Sequence, residues 1–416
     1  MDRTRSRLTM GEVLFLAHRV PFPPDRGDKI RSHHLLKALA KLGPVHVGTF
    51  GETKQDMAQR PELVTIAKTH ALIERAKPLP LAGAEALVKG RPVSLTAFDH
   101  EAMRRYVAKT LGNHRIETIF VFSGQMGQYI PDRFAGRVVI DLCDVDSAKF
   151  EAYADAGQRR WLNRREGALL ALEEERLARR ADRLLLISEN EVDLFRSRLS
   201  ASTKADLYAL GNGIDAQFFD PVQVGLQADL EEGEDPQLVF TGQMDYPPNI
   251  AAVGWMIENV MPTLRKTYPR ARFHVVGRAP VQSIRDHHGE NGVRVWGEVP
   301  DVRPFLKSAD VVVAPLLIAR GVQNKVLEAM AMAKPVVVTP GAATGIDAVD
   351  GVHFAIAEPE PAATLDRIEA LLSDDEKRLG MGKAARQFVV ERMNWDRIYI
   401  RLAQLLDGSE SGRDAA

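Results

Sequence analysis

Short runs of apolar residues, separated by segments with helical spacing, constrain the fold of this chain more than any other feature. Between Val311 and Thr339, the runs Val311–Val313 and Pro335–Val338 flank a segment with the spacing of an amphipathic helix. Such runs are typical of strands buried on both faces of a parallel sheet. The same alternation of strands and helices starts at Glu12, so the sequence predicts a parallel α/β architecture.

The helix predicted in this stretch, Gln323 to Met332, carries a cation and an anion one turn apart. At 100° per residue its aliphatic residues face the sheet, whereas Lys325, Glu328 and Met332 lie on the open face. Ligands of open α/β sheets bind beyond the carboxyl ends of strands, where the free N–H groups of the next helix attract anions. Lysine suits a phosphate there, and glutamate suits sugar hydroxyls. The alternative is an exposed ion pair, worth a few tenths of a kcal/mol.

Composition limits the class of protein. A chain of 416 residues is too long for one core and predicts two or three domains. The formal net charge of −1 gives no reason to expect nucleic acid as a partner. A single cysteine, Cys143, excludes a disulfide framework and any multi-cysteine metal site, and it favours a cytoplasmic location. The apolar run Val13–Ala17 is too short for a signal peptide, and no run approaches the ~18 residues of a membrane span.

The segment around Gly211-Asn212-Gly213, followed by the acidic stretch Asp229 to Pro236, indicates a linker between two domains. Upstream, a helix is expected from about Ile30 to Leu42 and a long helix from Lys149 to Ala181. The predicted organisation is a basic tail at 1–11, a first domain at 12–210, a linker at 211–236, a second domain at 237–392, a last helix at 393–407 and a tail at 408–416.

The loop from Pro21 to Lys29 combines three prolines and several charges at a predicted strand end. Gly27 would let a ligand approach the backbone closely, and Arg26, Lys29 and Arg31 could supply positive charge. A solvated turn explains the same residues.

Two further strand ends in the first half carry polar groups. Ser123 follows one strand, and Asp144 and Asp146 follow the next, where a general base or a hydroxyl-orienting group would lie. Helix capping is the alternative explanation for Asp146. Cys143 is expected to be a buried small apolar residue rather than a nucleophile.

A basic and aromatic cluster lies in the long predicted helix. It comprises Arg159-Arg160-Trp161 and Arg164-Arg165. Such a cluster can contact anionic lipid head groups or anionic acceptors, although most such clusters are simply solvated faces.

Several motifs, in order, resemble those of the retaining, nucleotide-sugar-dependent glycosyltransferases of family 4, which have the GT-B fold. They are PPDRG, NGID, FTGQMDYPPN, VVGR, VRVWGEVPDV and NKVLEAMAMAKPVVVT. The last is the most specific. More narrowly, DVDS, GQMDYPPN and IARGVQNKVLEAMAM resemble the sugar transferases associated with PEP-CTERM and exosortase exopolysaccharide systems.

The resemblance implies two Rossmann-like domains with parallel sheets facing a central cleft, and a helix around Trp395 that crosses back to the first domain. The first domain would bind the acceptor and the second the donor. Glu328 would bind the donor ribose hydroxyls and Lys325 the donor phosphates, with Gly27 approaching the diphosphate. The full expected set comprises donor-binding Gly27, Gly242, Arg278, Val299, Asn324, Lys325 and Glu328, acceptor-binding Arg26, Ser123 and Asp146, and catalytic Asp144, Lys325 and Arg320.

This chain departs from the family in two places. The family pairs its ribose-binding glutamate with an acidic residue eight positions earlier, but that position here is Arg320. The histidine common in the first domain has no clear counterpart, and Asp144 stands near its expected place. Sugar identity and catalytic assignment are therefore less constrained than nucleotide binding.

The expected reaction is transfer of a hexosyl group from a UDP- or GDP-sugar to a growing, lipid-linked exopolysaccharide oligosaccharide, with retention and without a metal. The Asp144-Val145-Asp146 sequence matches a metal-binding DxD pattern but falls in the acceptor domain. The expected location is cytoplasmic, with peripheral contact to the inner face of the plasma membrane through Arg159–Arg165. Alternatives are a non-catalytic nucleotide-sugar-binding component and a GT-B epimerase. An NAD-dependent oxidoreductase is disfavoured because no G-x-G-x-x-G follows a candidate strand.

Overall fold

The computed structural model describes residues 11–155, 157–230, 235–317 and 322–407. Contacts divide these residues into two compact units, with the boundary between Gly211 and Asn212. From Tyr399 onward, the described residues group with the first unit. The predicted tails lie almost entirely outside the described residues.

The first unit is built on a seven-stranded sheet in which all strand pairs are parallel. The strand order is β3-β2-β1-β4-β5-β6-β7. The order reverses between β1 and β4, which is where a doubly wound sheet opens a crevice at its carboxyl end. The strands are β1 (Glu12–Ala17), β2 (Val45–Gly51), β3 (Thr69–Glu74), β4 (Ile116–Phe122), β5 (Arg137–Cys143), β6 (Arg183–Leu186) and β7 (Leu207–Ala209).

Helices connect these strands, as parallel pairing requires. They are α1 (Gly27–Leu42), α2 (Lys54–Met57), α3 (Arg60–Ile66), α4 (Leu79–Lys89), α5 (Val93–Ala97), α6 (Glu101–Asn113), α7 (Asp146–Asp155), α8 (Arg160–Arg180) and α9 (Glu189–Arg198), with a 3₁₀ turn at Gly124–Tyr129.

The second unit repeats the plan with a six-stranded parallel sheet, in the order β10-β9-β8-β11-β12-β13. Its strands are β8 (Gln237–Thr241), β9 (Arg272–Val276), β10 (Val293–Gly297), β11 (Val311–Ala314), β12 (Val336–Val338) and β13 (Ala355–Ile356). Its helices are α10 (Pro247–Trp255), a π-helical segment (Met256–Val260), α11 (Met261–Thr267), α12 (Gln282–Arg285), α13 (Arg303–Ser308), α14 (Asn324–Ala331), α15 (Pro340–Ala343), α16 (Pro361–Leu372) and α17 (Asp375–Arg392), and α18 (Trp395–Asp407) follows.

The parallel α/β prediction is confirmed in both units, but the long helix predicted from Lys149 to Ala181 is wrong. It is two helices, α7 and α8. Between them Gly157 has φ +80° and Arg159 has φ +36°, which are left-handed conformations that end a right-handed helix. None of the described helices is both long and apolar enough to cross a membrane.

The stretch predicted as a linker is packed rather than loose where the structure describes it. Ile214, Phe219, Val224 and Leu230 are buried in the core of the second unit. Short 3₁₀ turns occupy Pro221–Gln223 and Ala228–Leu230.

Candidate functional site

The helix that follows β11 forms as predicted, but one residue shorter at each end. In α14 the aliphatic residues are buried, and Lys325 and Glu328 lie half-buried on the other side. The expectation that Met332 shares this open face is wrong, because Met332 is fully buried. It is the C-cap residue, with φ −77° and ψ 13°, so helical periodicity no longer fixes the direction of its side chain.

The ammonium of Lys325 is held by neutral groups. Its Nζ donates to Asn249 Oδ1 at 2.6 Å and lies 4.2 Å from the centroid of the Phe240 ring. Asn249 in turn donates to the carbonyl of Gln243 at 2.8 Å. Burial lowers the pKa of Lys325 to about 7, and the charge of Glu328 opposes this only in part. Among the described residues, the amine of Lys325 is therefore positioned by neutral groups, and Glu328 acts on it only through its charge.

The carboxylate of Glu328 is in a complementary situation. Burial raises its pKa to about 7, and the charge of Lys325 opposes the shift. Across the ranges that the structure describes, no hydrogen bond reaches this carboxylate. The exposed ion pair considered from the sequence is therefore not what the structure contains. An unbonded carboxylate can accept hydrogen bonds from two neighbouring hydroxyls, as in a ribose.

Two glycines lie at the carboxyl ends of β8 and β9, close to Lys325. Gly242 has φ +155°, and a Cβ there would lie 2.9 Å from Lys325 Nζ. Gly277 has φ +149°, and a Cβ there would lie 1.6 Å from the Gly242 carbonyl oxygen, which no side chain permits. The sequence analysis assigned Gly242 but not Gly277 to the donor site, although both glycines follow strands.

The other predicted donor residues reach the same strand ends to different degrees. Arg278 donates to Gln243 Oε1 at 3.0 Å, so it joins the hydrogen-bonded chain that includes Asn249 and Lys325. Asn324 begins α14, and its Oδ1 accepts a hydrogen bond from Asn212 at 3.4 Å.

Two predicted residues are not part of that chain. Val299 packs against the core of the unit. Arg320, the unusual residue at the usual acidic position, lies outside the described residues.

In the first unit, the loop after β1 is an ion-pair network. Arg26 is the N-cap of α1, and its guanidinium lies 3.3 Å from Asp28 and 3.7 Å from Glu52. Arg19 pairs with the same two carboxylates at 2.7 and 2.9 Å. Gly27 is the first residue of α1, and a Cβ there would meet nothing within 4 Å.

The expectation that Lys29 and Arg31 offer charge to a ligand is wrong. Both are buried and paired inside the unit. Lys29 Nζ contacts Asp56 at 2.7 Å, and Arg31 Nε donates to Asp141 at 2.9 Å.

The acidic residues after β5 surround a cavity of only about 10 Å³, room for about one water molecule and not for a sugar. Asp146 is the first residue of α7, and Asp144 precedes it. Burial raises the pKa of Asp144 to about 6; Lys149 opposes the shift, and the nearby carboxylates of Glu191 and Asp146 add to it. Asp144 can thus exchange a proton near neutral pH.

Two glutamates that the sequence analysis missed hold the start of α7. Glu174 accepts hydrogen bonds from Ser147 N at 2.9 Å and Ser147 Oγ at 2.5 Å. Glu191 accepts a hydrogen bond from Val145 N at 2.8 Å. They come from α8 and α9, so no local pattern connects them to this turn.

The neighbouring strand ends also carry unusual backbone. Ser123 follows β4 with φ +76°, and Cys143 ends β5 with φ +67°. Non-glycine residues in this region store strain and cluster at functional sites. Burial raises the pKa of the Cys143 thiol well above its usual range, which agrees with the expectation that it is no nucleophile.

Residues 235–374 match a family model described as "Glycosyl transferases group 1". This region contains β8 to β13 together with Lys325 and Glu328. No curated protein gives a significant match.

Among solved structures, sucrose-phosphate synthase from Thermosynechococcus elongatus is 17% identical with a TM-score of 0.71, covering 96% of this chain and 99% of that one. Anabaena HepE in complex with UDP is 15% identical with a TM-score of 0.66, covering 95% and 100%. The HepE complex with UDP-glucose is 16% identical with a TM-score of 0.64, covering 96% and 100%. This chain has the GT-B fold.

Proposed function

We propose that this chain is a retaining glycosyltransferase that moves a hexosyl group from a UDP- or GDP-sugar to a growing, lipid-linked exopolysaccharide oligosaccharide. The observation that carries the proposal is the pair Lys325 and Glu328, half-buried at the carboxyl end of the second sheet, with no direct ion pair to a described residue. The pair lies in the region that matches the glycosyl transferases group 1 model. HepE, which has a similar fold, is seen with UDP and with UDP-glucose.

The chemical requirement is departure of a nucleoside diphosphate while positive charge develops at the sugar. Lys325 and the backbone N–H groups at the N-terminus of α14 supply positive potential for the leaving phosphates. Glu328 holds the ribose, and Gly242 and Gly277 let the strand ends approach the diphosphate. The acceptor hydroxyl attacks the anomeric carbon from the same face that the diphosphate leaves. The leaving phosphate accepts the proton of that hydroxyl, and no metal ion is required.

A panel of UDP- and GDP-sugars tests this function directly. The protein is incubated with each donor, and nucleotide release is measured with and without a lipid-linked oligosaccharide acceptor. Acceptor-dependent release from one donor, with the anomeric configuration retained, is the expected result. Binding of a nucleotide sugar with no release would favour the non-catalytic component, and conversion of the donor sugar without transfer would favour the epimerase.

A surface of the first unit supports contact with a membrane-bound acceptor. Trp161 on α8 is 67% exposed, beside Arg160 and Arg164. Arg165 donates to the carbonyl oxygen of Ala86, which places the start of α8 against α4. The large exposed apolar residues of α4 are Leu79, Leu81, Leu87 and Val88. Apolar side chains beside arginines fit the interface of an anionic bilayer.

Vesicle co-sedimentation tests this contact. The wild type should bind vesicles that contain phosphatidylglycerol and not vesicles of phosphatidylcholine alone. Combining Trp161→Ala with Val88→Glu should abolish binding, whereas Leu379→Glu, at an exposed leucine of the second unit, should not. Equal binding by all three proteins would reject the membrane surface and leave the transferase proposal intact.

A further inference from the structure

Three side chains that can bind a metal lie together at the amino end of the first sheet, the end opposite the strand termini described above. Glu12 opens β1, His46 is the second residue of β2, and His114 lies between α6 and β4. Because β2, β1 and β4 are adjacent parallel strands, their first residues lie side by side. His46 is fully buried, and the other two side chains are partly exposed.

The distances suit a single small cation. One ligand atom from each side chain lies within 4.8 Å of the other two. Glu12 Oε2 is 3.1 Å from His46 Nε2 and 3.5 Å from His114 Nδ1. Ligand atoms of a tetrahedral zinc ion, with bonds of about 2.0–2.2 Å, lie about 3.3–3.6 Å apart. Small side-chain shifts are therefore enough to bring the three atoms around one ion, with the fourth position open to water.

A chain of hydrogen bonds orients the buried histidine. His46 Nδ1 lies 2.7 Å from Thr69 Oγ1, which lies 3.0 Å from the Tyr106 hydroxyl. The Tyr106 hydroxyl donates to the Thr69 carbonyl oxygen at 3.1 Å. With Tyr106 donating there, Thr69 can donate to Tyr106 and His46 Nδ1–H can donate to Thr69. His46 Nε2 then presents a lone pair to Glu12, as a metal-binding histidine requires.

The opposite tautomer would donate His46 Nε2–H to Glu12 and would need no metal. The two arrangements differ in what lies between Nε2 and the carboxylate, a proton or a cation. Metal binding is therefore the measurement that separates them.

Lys68 contacts the other carboxylate oxygen, Glu12 Oε1, and leaves Oε2 facing the histidines. Its side chain is 46% exposed, so it can move aside. An ammonium this close opposes binding of a cation. Removing it should therefore strengthen a true metal site.

We propose that Glu12, His46 and His114 bind one Zn²⁺ ion that cross-links β1, β2 and the segment before β4. Two imidazoles and a carboxylate are a ligand set that zinc commonly takes. The ion would stabilise the first unit and would take no part in glycosyl transfer.

The test uses the full chain after chelator treatment and dialysis, titrated calorimetrically with ZnCl₂. We expect one equivalent of Zn²⁺ per chain. At a free concentration of 100 times Kd, the melting temperature should rise by about 5–10 °C. His114→Ala and Glu12→Gln should no longer bind Zn²⁺, whereas His70→Gln, on the neighbouring strand β3, should still bind one equivalent.

Two further variants separate a metal site from a merely structural cluster. Lys68→Met should bind Zn²⁺ more tightly than the wild type. Thr69→Val should weaken binding by about 10- to 100-fold, because it removes the hydroxyl that orients His46. Circular dichroism of His114→Ala confirms folding, since that side chain is only partly buried. Absence of stoichiometric binding by the wild type, or unchanged binding by His114→Ala, would overturn the proposal.

Discussion

Replacing Glu328 with alanine gives the sharpest test of the donor site. The carboxylate accepts no hydrogen bond in the described chain, and burial raises its pKa to about 7. Two ribose hydroxyls would each donate a charge-assisted hydrogen bond worth about 1.5–3 kcal/mol. Binding also removes the carboxylate from its remaining water, which offsets part of this gain. We therefore expect a net loss of about 1.5–3 kcal/mol, or about a 10- to 150-fold rise in Kd for the nucleotide.

The assay is calorimetric titration at pH 8, above the pKa of about 7, where the Glu328 carboxylate is ionised. UDP is compared with 2′,3′-dideoxy-UDP, or GDP with its dideoxy analogue if the protein prefers guanine. Glu328→Ala should weaken binding of the ribonucleotide and leave that of the dideoxynucleotide unchanged. Glu258→Ala, at an exposed glutamate of the same unit, should change neither. An equal loss for both nucleotides, or no loss, would refute ribose binding by Glu328.

Substitutions of Lys325, Gly277 and Glu174 test three further consequences of the structure. Lys325→Met should weaken binding of the diphosphate at least about 10-fold and leave nucleoside binding unchanged, because its ammonium would contact phosphates. Titrations with the diphosphate and with the nucleoside, run below the Lys325 pKa of about 7 so that the amine is charged, check this. Gly277→Ala should lower the melting temperature, because its Cβ would lie 1.6 Å from the Gly242 carbonyl oxygen, whereas Gly254→Ala, whose Cβ meets nothing within 4 Å, should not. Burial raises the pKa of Glu174 from 4.5 to about 7. Because the folded protein favours the neutral carboxyl, Glu174 stabilises the fold fully below its unfolded pKa of 4.5. The free energy of unfolding then falls by up to about 3 kcal/mol as pH rises to the folded pKa of about 7. The melting temperature of the wild type should thus fall more between pH 5 and pH 8 than that of Glu174→Gln.

Local patterns in the sequence predict most elements of this fold. The helix predicted from Gln323 to Met332 forms within one residue of its expected bounds, because the periodicity that predicts it lies within the segment. The same local reasoning failed at Met332, because the direction of a side chain at the end of a helix no longer follows the helical period. It also extended one helix across Gly157, whose left-handed conformation no hydrophobic pattern reports.

Pairings between distant residues were beyond the reach of the sequence. Arg31 was considered a ligand-binding cation, but it pairs with Asp141, which is 110 positions away. The close approach of Gly277 to Gly242 and the cluster of Glu12 with two histidines likewise depend on strand order. Lys325 and Glu328 were identified because they lie within four consecutive residues of one helix, and because the surrounding motif resembles a known family.

Two buried cations of the first unit and two residues of α14 differ in their partners, and the difference bears on function. Lys29 contacts Asp56 at 2.7 Å and Arg31 contacts Asp141 at 2.9 Å, so each charge has a partner that compensates its loss of water. Lys325 is instead held by a neutral amide, and no described group donates a hydrogen bond to Glu328. Folding alone gives no reason to place such groups away from water, since each loses solvation without an equivalent gain. A ligand with phosphates and a vicinal diol would supply both missing partners at once, which is why we assign the donor site to this helix rather than to the buried pairs of the first unit.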